Sequence, residues 1–332
     1  MNIPFTEKFR PTNFDEIYNN NNIDIILSNC LKEKDIPHFL FHGNSGNGKT
    51  TSVKTFINKL YGTQNHHNIL YLNASDDRGI NIVREKIKTF SKLSTTNNEI
   101  KIIILDEADN MTYDAQSALR RIMEIYCKNT RFIIICNFVN KIIDPIISRC
   151  CKVKFNSLTD EQIEKIIDKV EKEMKFKMND VIKNYIINET NGDARKTLNI
   201  IECLYQIYYK EYNESNEINV INNDDILNIL NNLTGNIDNE NFSKFINNIE
   251  NTSGENLSNL VRDFINQSYD TNKIIKKFIK YIFNMNINNE IKNNIISKFN
   301  NLLRKIYEGT PEEFAIRNVI YQYKYLYSNY LK

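Results

Sequence analysis

The chain has 332 residues, 41% of them hydrophobic, with 43 Lys+Arg against 41 Asp+Glu and a formal net charge of +2. At roughly 100–200 residues per domain this is material for two or three domains, and the near balance of charge excludes a chain that is basic all over, so any nucleic-acid contact needs a local patch. No apolar run reaches the roughly 18 residues of a membrane span, the opening MNIPFTEKFRPT lacks a signal-peptide apolar core, and the six cysteines form no Cys-x-x-Cys pair, which argues against a membrane protein, a disulfide framework or a four-cysteine zinc module and for a reducing compartment.

Up to about residue 155, strand-like and helix-like segments alternate. Phe39-Leu40-Phe41-His42 is a short apolar run that ends in glycine, and a helix-compatible stretch follows over 49–61. Ile69-Leu70-Tyr71-Leu72 is a second strand, and 78–92 has helical spacing. Residues 100–105 are apolar and β-branched, the composition of a buried parallel strand. Residues 115–126 are helical, 131–136 form another buried strand, and a loop and helix with Pro145 lead into a last strand that takes in Cys150 and Cys151. This order predicts an α/β fold, a parallel sheet with helices on both faces. From Leu158 the pattern changes: Thr159 or Asp160 caps a helix, and helical spacing then dominates, with breaks near 175–179, 191–193, 212–223 and 233–239. The polar stretch 211–223 reads as a linker, and Thr310-Pro311-Glu312-Glu313 opens a further helix. The expected domains are 1–157, 158–222 and 223–332.

Two motifs carry chemistry. Gly43-Asn44-Ser45-Gly46-Asn47-Gly48-Lys49-Thr50 fits G-x-x-x-x-G-K-[ST] and stands where a phosphate loop must stand, after a strand and opening a helix. Its glycines let backbone N–H groups converge on phosphate oxygens, and the helix N-terminus adds positive potential. Lys49 is placed to bridge the β- and γ-phosphates and the Thr50 hydroxyl to ligate Mg²⁺; Thr51 follows in the same turn. The second motif is Ile102-Ile103-Ile104-Leu105-Asp106-Glu107. Asp106 emerges at the C-terminal end of the strand, where ligands of such sheets sit, as the second metal group, and Glu107 is placed to polarise an attacking water. Asn137 ends the next strand. An amide there holds the water or the γ-phosphate, or is an ordinary strand-end residue in a chain with 54 asparagines; position alone does not choose. Together the motifs predict ATP hydrolysis with ATP and Mg²⁺ as cofactors.

The chain resembles the small subunits of replication factor C. The resemblance is carried by Glu7-Lys8-Phe9-Arg10-Pro11-Thr12, the phosphate loop, Leu72-Asn73-Ala74-Ser75-Asp76-Asp77-Arg78-Gly79, residues 105–111, Ala115-Gln116-Ser117-Ala118-Leu119-Arg120-Arg121, Cys136-Asn137, Ile146-Ile147-Ser148-Arg149-Cys150 and Gly192-Asp193-Ala194-Arg195-Lys196, in family order over about residues 5–200. It implies an AAA+ RecA-like parallel sheet domain, a helical lid and an all-α C-terminal collar that serves oligomerisation. It implies a hetero-pentamer with other replication factor C subunits that opens a PCNA-type sliding clamp and places it on primer–template DNA, with no membrane partner. By resemblance, Asn137 is the γ-phosphate sensor, Arg149 the arginine finger that reaches the neighbouring subunit's ATP, Arg195 the second sensor, and Arg10 and Pro11 the element against the adenine. Arg84 and Lys88, four apart on one predicted helix face, resemble the basic residues that track the duplex backbone. Asn44, Ser45 and Asn47 depart from the family's usual loop residues but contribute backbone. Two other readings remain open: a structural, nucleotide-binding ring subunit, and another AAA+ DNA motor such as a branch-migration helicase. The expected compartment is the nucleus for a eukaryotic source and the cytoplasm or a viral factory otherwise.

Overall fold

The apolar segments of the first half assemble into one parallel sheet. In the computed structural model, which describes residues 3–17, 21–33, 35–62, 66–75, 83–93, 100–215, 223–267 and 269–330, the strands are β1 (Phe39–His42), β2 (Ile69–Asn73), β3 (Lys101–Asp106), β4 (Thr130–Cys136) and β5 (Cys151–Lys154), in the order β2-β3-β4-β1-β5. Register places Leu40 opposite Ile134, Leu105 opposite Ile134 and Asn73 opposite Asp106.

The continuous apolar runs of β3 and β4 follow from burial on both faces. Ile103, Leu105, Phe132 and Ile134 pack with Leu119, Ile122 and Met123 of a helix on one side, while Ile102, Ile104, Ile133 and Ile135 pack with Phe41, Val53 and Phe56 on the other. These strand residues are at most 2% exposed, and each such side chain contributes about 1.5–3 kcal/mol of transfer free energy. The helices concerned are α3 (Lys49–Tyr61) and α5 (Tyr113–Tyr126). Thr112 N-caps α5 by accepting from Ala115 N at 3.3 Å. Within α5, the buried Gln116 amide donates to Met111 O and Lys141 O and accepts from Ile143 N at 2.9 Å. One side chain thus fixes the loops that flank both β3 and β4.

The chain divides into two compact units, Met1–Asn219 and Val220–Lys332. The first also holds the helices α7 (Asp160–Met174), α8 (Asp180–Thr190) and α9 (Ala194–Ser215). Thr159, not Asp160, is the cap of α7, in a capping box with Gln162. The short N-terminal helix α1 (Phe5–Lys8) is tied to α9: Phe5 N donates to Glu202 Oε2 at 3.1 Å, and its ring lies 5.5 Å from that of Tyr205. The second unit is helical, as predicted, around the fully buried Phe278, Phe299 and Tyr323. There the Tyr323 hydroxyl donates to Glu250 Oε1 at 2.5 Å, and Lys324 Nζ caps a helix end through Ile249 O and Glu250 O, both at 2.8 Å.

Four local expectations change. A helix at Asn21–Glu33, α2, was not signalled by its asparagine-rich start; it buries Ile23 and Leu27. The segment read as an α-helix over 78–92 is a π turn at Val83–Ile87 followed by α4 (Lys88–Lys92), with residues 76–82 outside the described residues. Helix α9 runs to Ser215, into the stretch read as linker, because no glycine or proline stops it. Cys150 precedes β5 rather than belonging to it; it is half-buried, and Cys151 is exposed.

Candidate active site

The loop between β1 and α3 is built on glycines in backbone conformations that other residues adopt only under strain. Gly43 has φ +146°, and a Cβ there would lie 2.2 Å from Phe155 O. Gly46 has φ +74°, and its absent Cβ would lie 1.8 Å from Asp193 Oδ1. Gly48, left-handed at φ 83°, is the N-cap of α3 and aims the first-turn N–H groups into the loop. Asn47 anchors the loop to the chain beyond β5 by donating to Phe155 O at 3.3 Å.

Lys49 is 8% exposed and donates to Gly43 O and Asn44 O, both at 2.8 Å, and to Asn137 Oδ1 at 2.9 Å. Burial pulls its pKa down, and Asp106 opposes that shift. The Thr50 hydroxyl donates to Asp106 Oδ2 at 3.0 Å. Asp106 Oδ1 accepts from Glu107 N at 3.0 Å. Glu107 is a non-glycine residue at φ 52°, and its carboxylate accepts from Asn110 Nδ2 at 3.2 Å. A left-handed residue at this point turns the chain off the strand and separates the two adjacent acids. Cys136, next to Asn137, is buried and its thiol is pushed up to about 12, mainly by burial and then by Asp109.

A cleft of about 350 Å³ opens over these groups. Ser45, Gly46, Asn47, Gly48, Lys49, Thr50 and Thr51 line it, with Asp106, Glu107 and Asn137 from the strand ends. Arg10 and Pro11 line one side and Arg195, from α9, another. Arg10 is held by Glu7 at 2.7 Å and reaches Thr51 Oγ1 at 3.5 Å. The oxygen donors of Thr50 and Asp106 are the hard ligands that Mg²⁺ selects, and two protein ligands beside a phosphate are its usual complement. The residues present therefore fit a magnesium–nucleotide complex.

Arg149 does not line this cleft. It follows α6 (Asp144–Ile147) and donates to Pro145 O and to Glu124 Oε1, both at 2.6 Å, with 38% of its side chain exposed. Lys88 lines a separate groove of about 590 Å³ between α4 and α5, with Lys92 and Arg121 but also Glu85 and Asp114. The side chain of Arg84 lies outside the described residues. Three contacts escaped the sequence reading. Tyr71 donates to Asp106 Oδ2 at 2.5 Å, and burial followed by this bond pushes its phenol pKa up. Asp193 caps α9 by accepting from Lys196 N at 3.0 Å, as its Gly-Asp turn suggests, but its packing on Gly46 has no local signal. Glu124 holds Arg149.

Residues 39–158 match the family model of the AAA ATPases, "ATPase family associated with various cellular activities", and residues 221–322 match the replication factor C C-terminal domain. The chain is thus similar to the AAA ATPases over one stretch and to replication factor C over a second, in that order. Among its relatives, the replication factor C small subunit of Sulfolobus acidocaldarius is 44% identical over 201 residues, 60% of this chain and 62% of that protein. Replication factor C subunit 3 of Schizosaccharomyces pombe is 41% identical over 207 residues, 62% of this chain and 60% of that one. The matched part thus spans about three fifths of these replication factor C relatives. Among solved structures, the Thermotoga maritima RuvB Holliday junction branch migration motor shares the fold, with a TM-score of 0.53 at 16% identity over 73% of this chain and 80% of that one.

Proposed function

We propose that the chain is an ATPase subunit of a replication factor C type clamp loader, one that opens a PCNA-type sliding clamp and loads it onto primer–template DNA. The observation that carries this reading is the meeting of Lys49, Thr50, Asp106, Glu107 and Asn137 in one cleft, on a chain whose second unit matches the replication factor C C-terminal domain. In this reading the loop amides and Lys49 hold the phosphates of ATP, while Asn137, already bonded to Lys49, reads the γ-phosphate. Thr50 and Asp106 hold Mg²⁺, which when bound neutralises phosphate charge. Glu107 orients and polarises the attacking water. Arg195 reaches the nucleotide from α9, and Arg10 and Pro11 flank the base.

Arg149 lies off its own cleft, exposed and paired, among the described residues, with the Glu124 carboxylate. That placement suits a group that serves a neighbouring subunit, since an exposed ion pair is worth only about 0–1 kcal/mol and exchanges readily. The partners are accordingly the other replication factor C subunits of a hetero-pentamer. Duplex contact falls to Lys88, with Lys92 and Arg121 beside it, and to Arg84. Such phosphate contacts position without reading sequence.

The test is to isolate the assembly through a tag on this chain and to measure ATP turnover with and without primer–template DNA and a PCNA-type clamp. Stimulation that requires both supports the loader. Stimulation by DNA alone moves the reading to another AAA+ DNA motor, and no turnover under any condition makes the chain a nucleotide-binding structural subunit.

A further inference from the structure

Among the described residues, Asp106 accepts three hydrogen bonds: from Thr50 Oγ1 at 3.0 Å and Tyr71 Oη at 2.5 Å, both on Oδ2, and from Glu107 N at 3.0 Å on Oδ1. An ionised carboxylate offers about four acceptor positions, so both lone pairs of Oδ2 are engaged and one position remains, on Oδ1. Two of the three donors are accounted for by other duties: the Glu107 amide is backbone, and Thr50 is itself the hydroxyl assigned to the metal. The Tyr71 hydroxyl makes the shortest of the three bonds and serves Asp106 alone among these roles.

The sheet delivers this contact. Asn73 stands opposite Asp106 in the β2–β3 register, and side chains alternate along a strand, so Tyr71 shares the face of Asn73 and Asp106. A long aromatic side chain two residues back along the neighbouring strand spans the diagonal. The ring is not core: it is 42% exposed, it lines the cleft, and Lys54 Nζ lies 6.0 Å from its centroid. A large ring left half in solvent with its hydroxyl end on a 9%-exposed carboxylate is placed for that bond rather than for burial. Strong, short O–H···O⁻ bonds of this kind fix geometry as well as contribute energy.

We propose that Tyr71 is a positioning residue for the metal carboxylate: its hydroxyl holds Asp106 in the orientation the site presents to a divalent cation and thereby sets the affinity for that cation. The proposal rests on the assignment of Asp106 and Thr50 as the metal groups. Donors that orient ligating groups in this way are typically worth about 10–100-fold in metal affinity.

The experiment titrates Mn²⁺ into the full chain with a non-hydrolysable ATP analogue and follows free Mn²⁺ by electron paramagnetic resonance. Tyr71→Phe, Asp106→Asn and the unaltered chain are compared, and binding of a fluorescent ATP analogue in EDTA is measured for each. Tyr71→Phe is expected to weaken Mn²⁺ binding by about 10-fold or more while metal-free nucleotide binding stays within about twofold, which also shows that the variant is folded. Mn²⁺ binding by Tyr71→Phe that is unchanged or tighter, while Asp106→Asn loses it, overturns the role of Tyr71 alone. Unchanged Mn²⁺ binding by Asp106→Asn overturns the metal assignment and the proposal with it.

Discussion

Replacing Gly46 with alanine tests how the phosphate loop and α9 are joined. The new Cβ would lie 1.8 Å from Asp193 Oδ1 and 2.3 Å from its Cγ. Asp193 must therefore swing away, and the bond from Lys196 N that caps α9 goes with it. The positive φ of +74° costs an alanine roughly 1–2 kcal/mol, and a lost cap costs about 1 kcal/mol. Gly46→Ala is thus expected to destabilise by about 2–3 kcal/mol, and Asp193→Ala by about 1 kcal/mol. In the double variant the cap is lost once, not twice, so the total stays at about 2–3 kcal/mol and the cycle shows a coupling of about 1 kcal/mol. Urea unfolding of the four proteins, compared by midpoint at constant m-value, measures it. Single costs that add to within about 0.3–0.5 kcal/mol would refute the claim that the two residues share one contact.

Lys49→Ala removes the cation that bonds Gly43 O, Asn44 O and Asn137, and loss of ATP binding by equilibrium dialysis is expected; retained tight binding would defeat the site assignment. Arg149→Ala should leave this chain's own ATP binding intact and slow turnover of the assembled complex at the adjacent site by about 10³-fold or more, whereas Glu124→Ala, which frees both Arg149 and Arg120 from exposed ion pairs, should leave stability within about 1 kcal/mol of the parent. His38 accepts from Phe132 N at 3.1 Å, and burial and then Arg131 pull its pKa down from 6.5 to about 4. The folded state thus binds fewer protons than the unfolded state between those values, so stability is full above pH 6.5 and falls as pH drops toward 4. His38→Leu should flatten that part of the profile in chemical denaturation.

The parts of the site that lie on one short stretch of chain were the legible ones. A phosphate cradle needs glycines, a lysine and a hydroxyl at fixed spacing, so Gly43, Gly46, Gly48, Lys49 and Thr50 declare themselves. Buried parallel strands need unbroken apolar runs, which exposed β3 and β4. Tyr71, Glu124 and Gln116, and the packing of Asp193 on Gly46, were silent because each joins partners distant in sequence: Tyr71 meets Asp106 from the neighbouring strand, and Glu124 meets Arg149 from a helix. Nothing in the local pattern marks such pairs. The π turn at Val83–Ile87 has the same apolar periodicity, to the eye, as an α-helix, and only the hydrogen-bond ladder separates them. Helix α2 was hidden because its first turn is asparagine, a weak helix former that tertiary burial of Ile23 and Leu27 overrides.

The N-terminal segment is tied to two helices at places only a few residues apart. Phe5 is fastened to Glu202 on α9, and Arg10 is fastened to Thr51 on α3. Those anchors stand on two different helices, so residues 5–10 span the gap between α9 and α3. Any change in that gap must be taken up within six residues, since each spans at most about 3.3–3.6 Å. Ile3, 64% exposed just ahead of the first anchor, is consequently a place from which a small attached dye reads a change in the spacing of α3 and α9 without touching the residues that line the cleft.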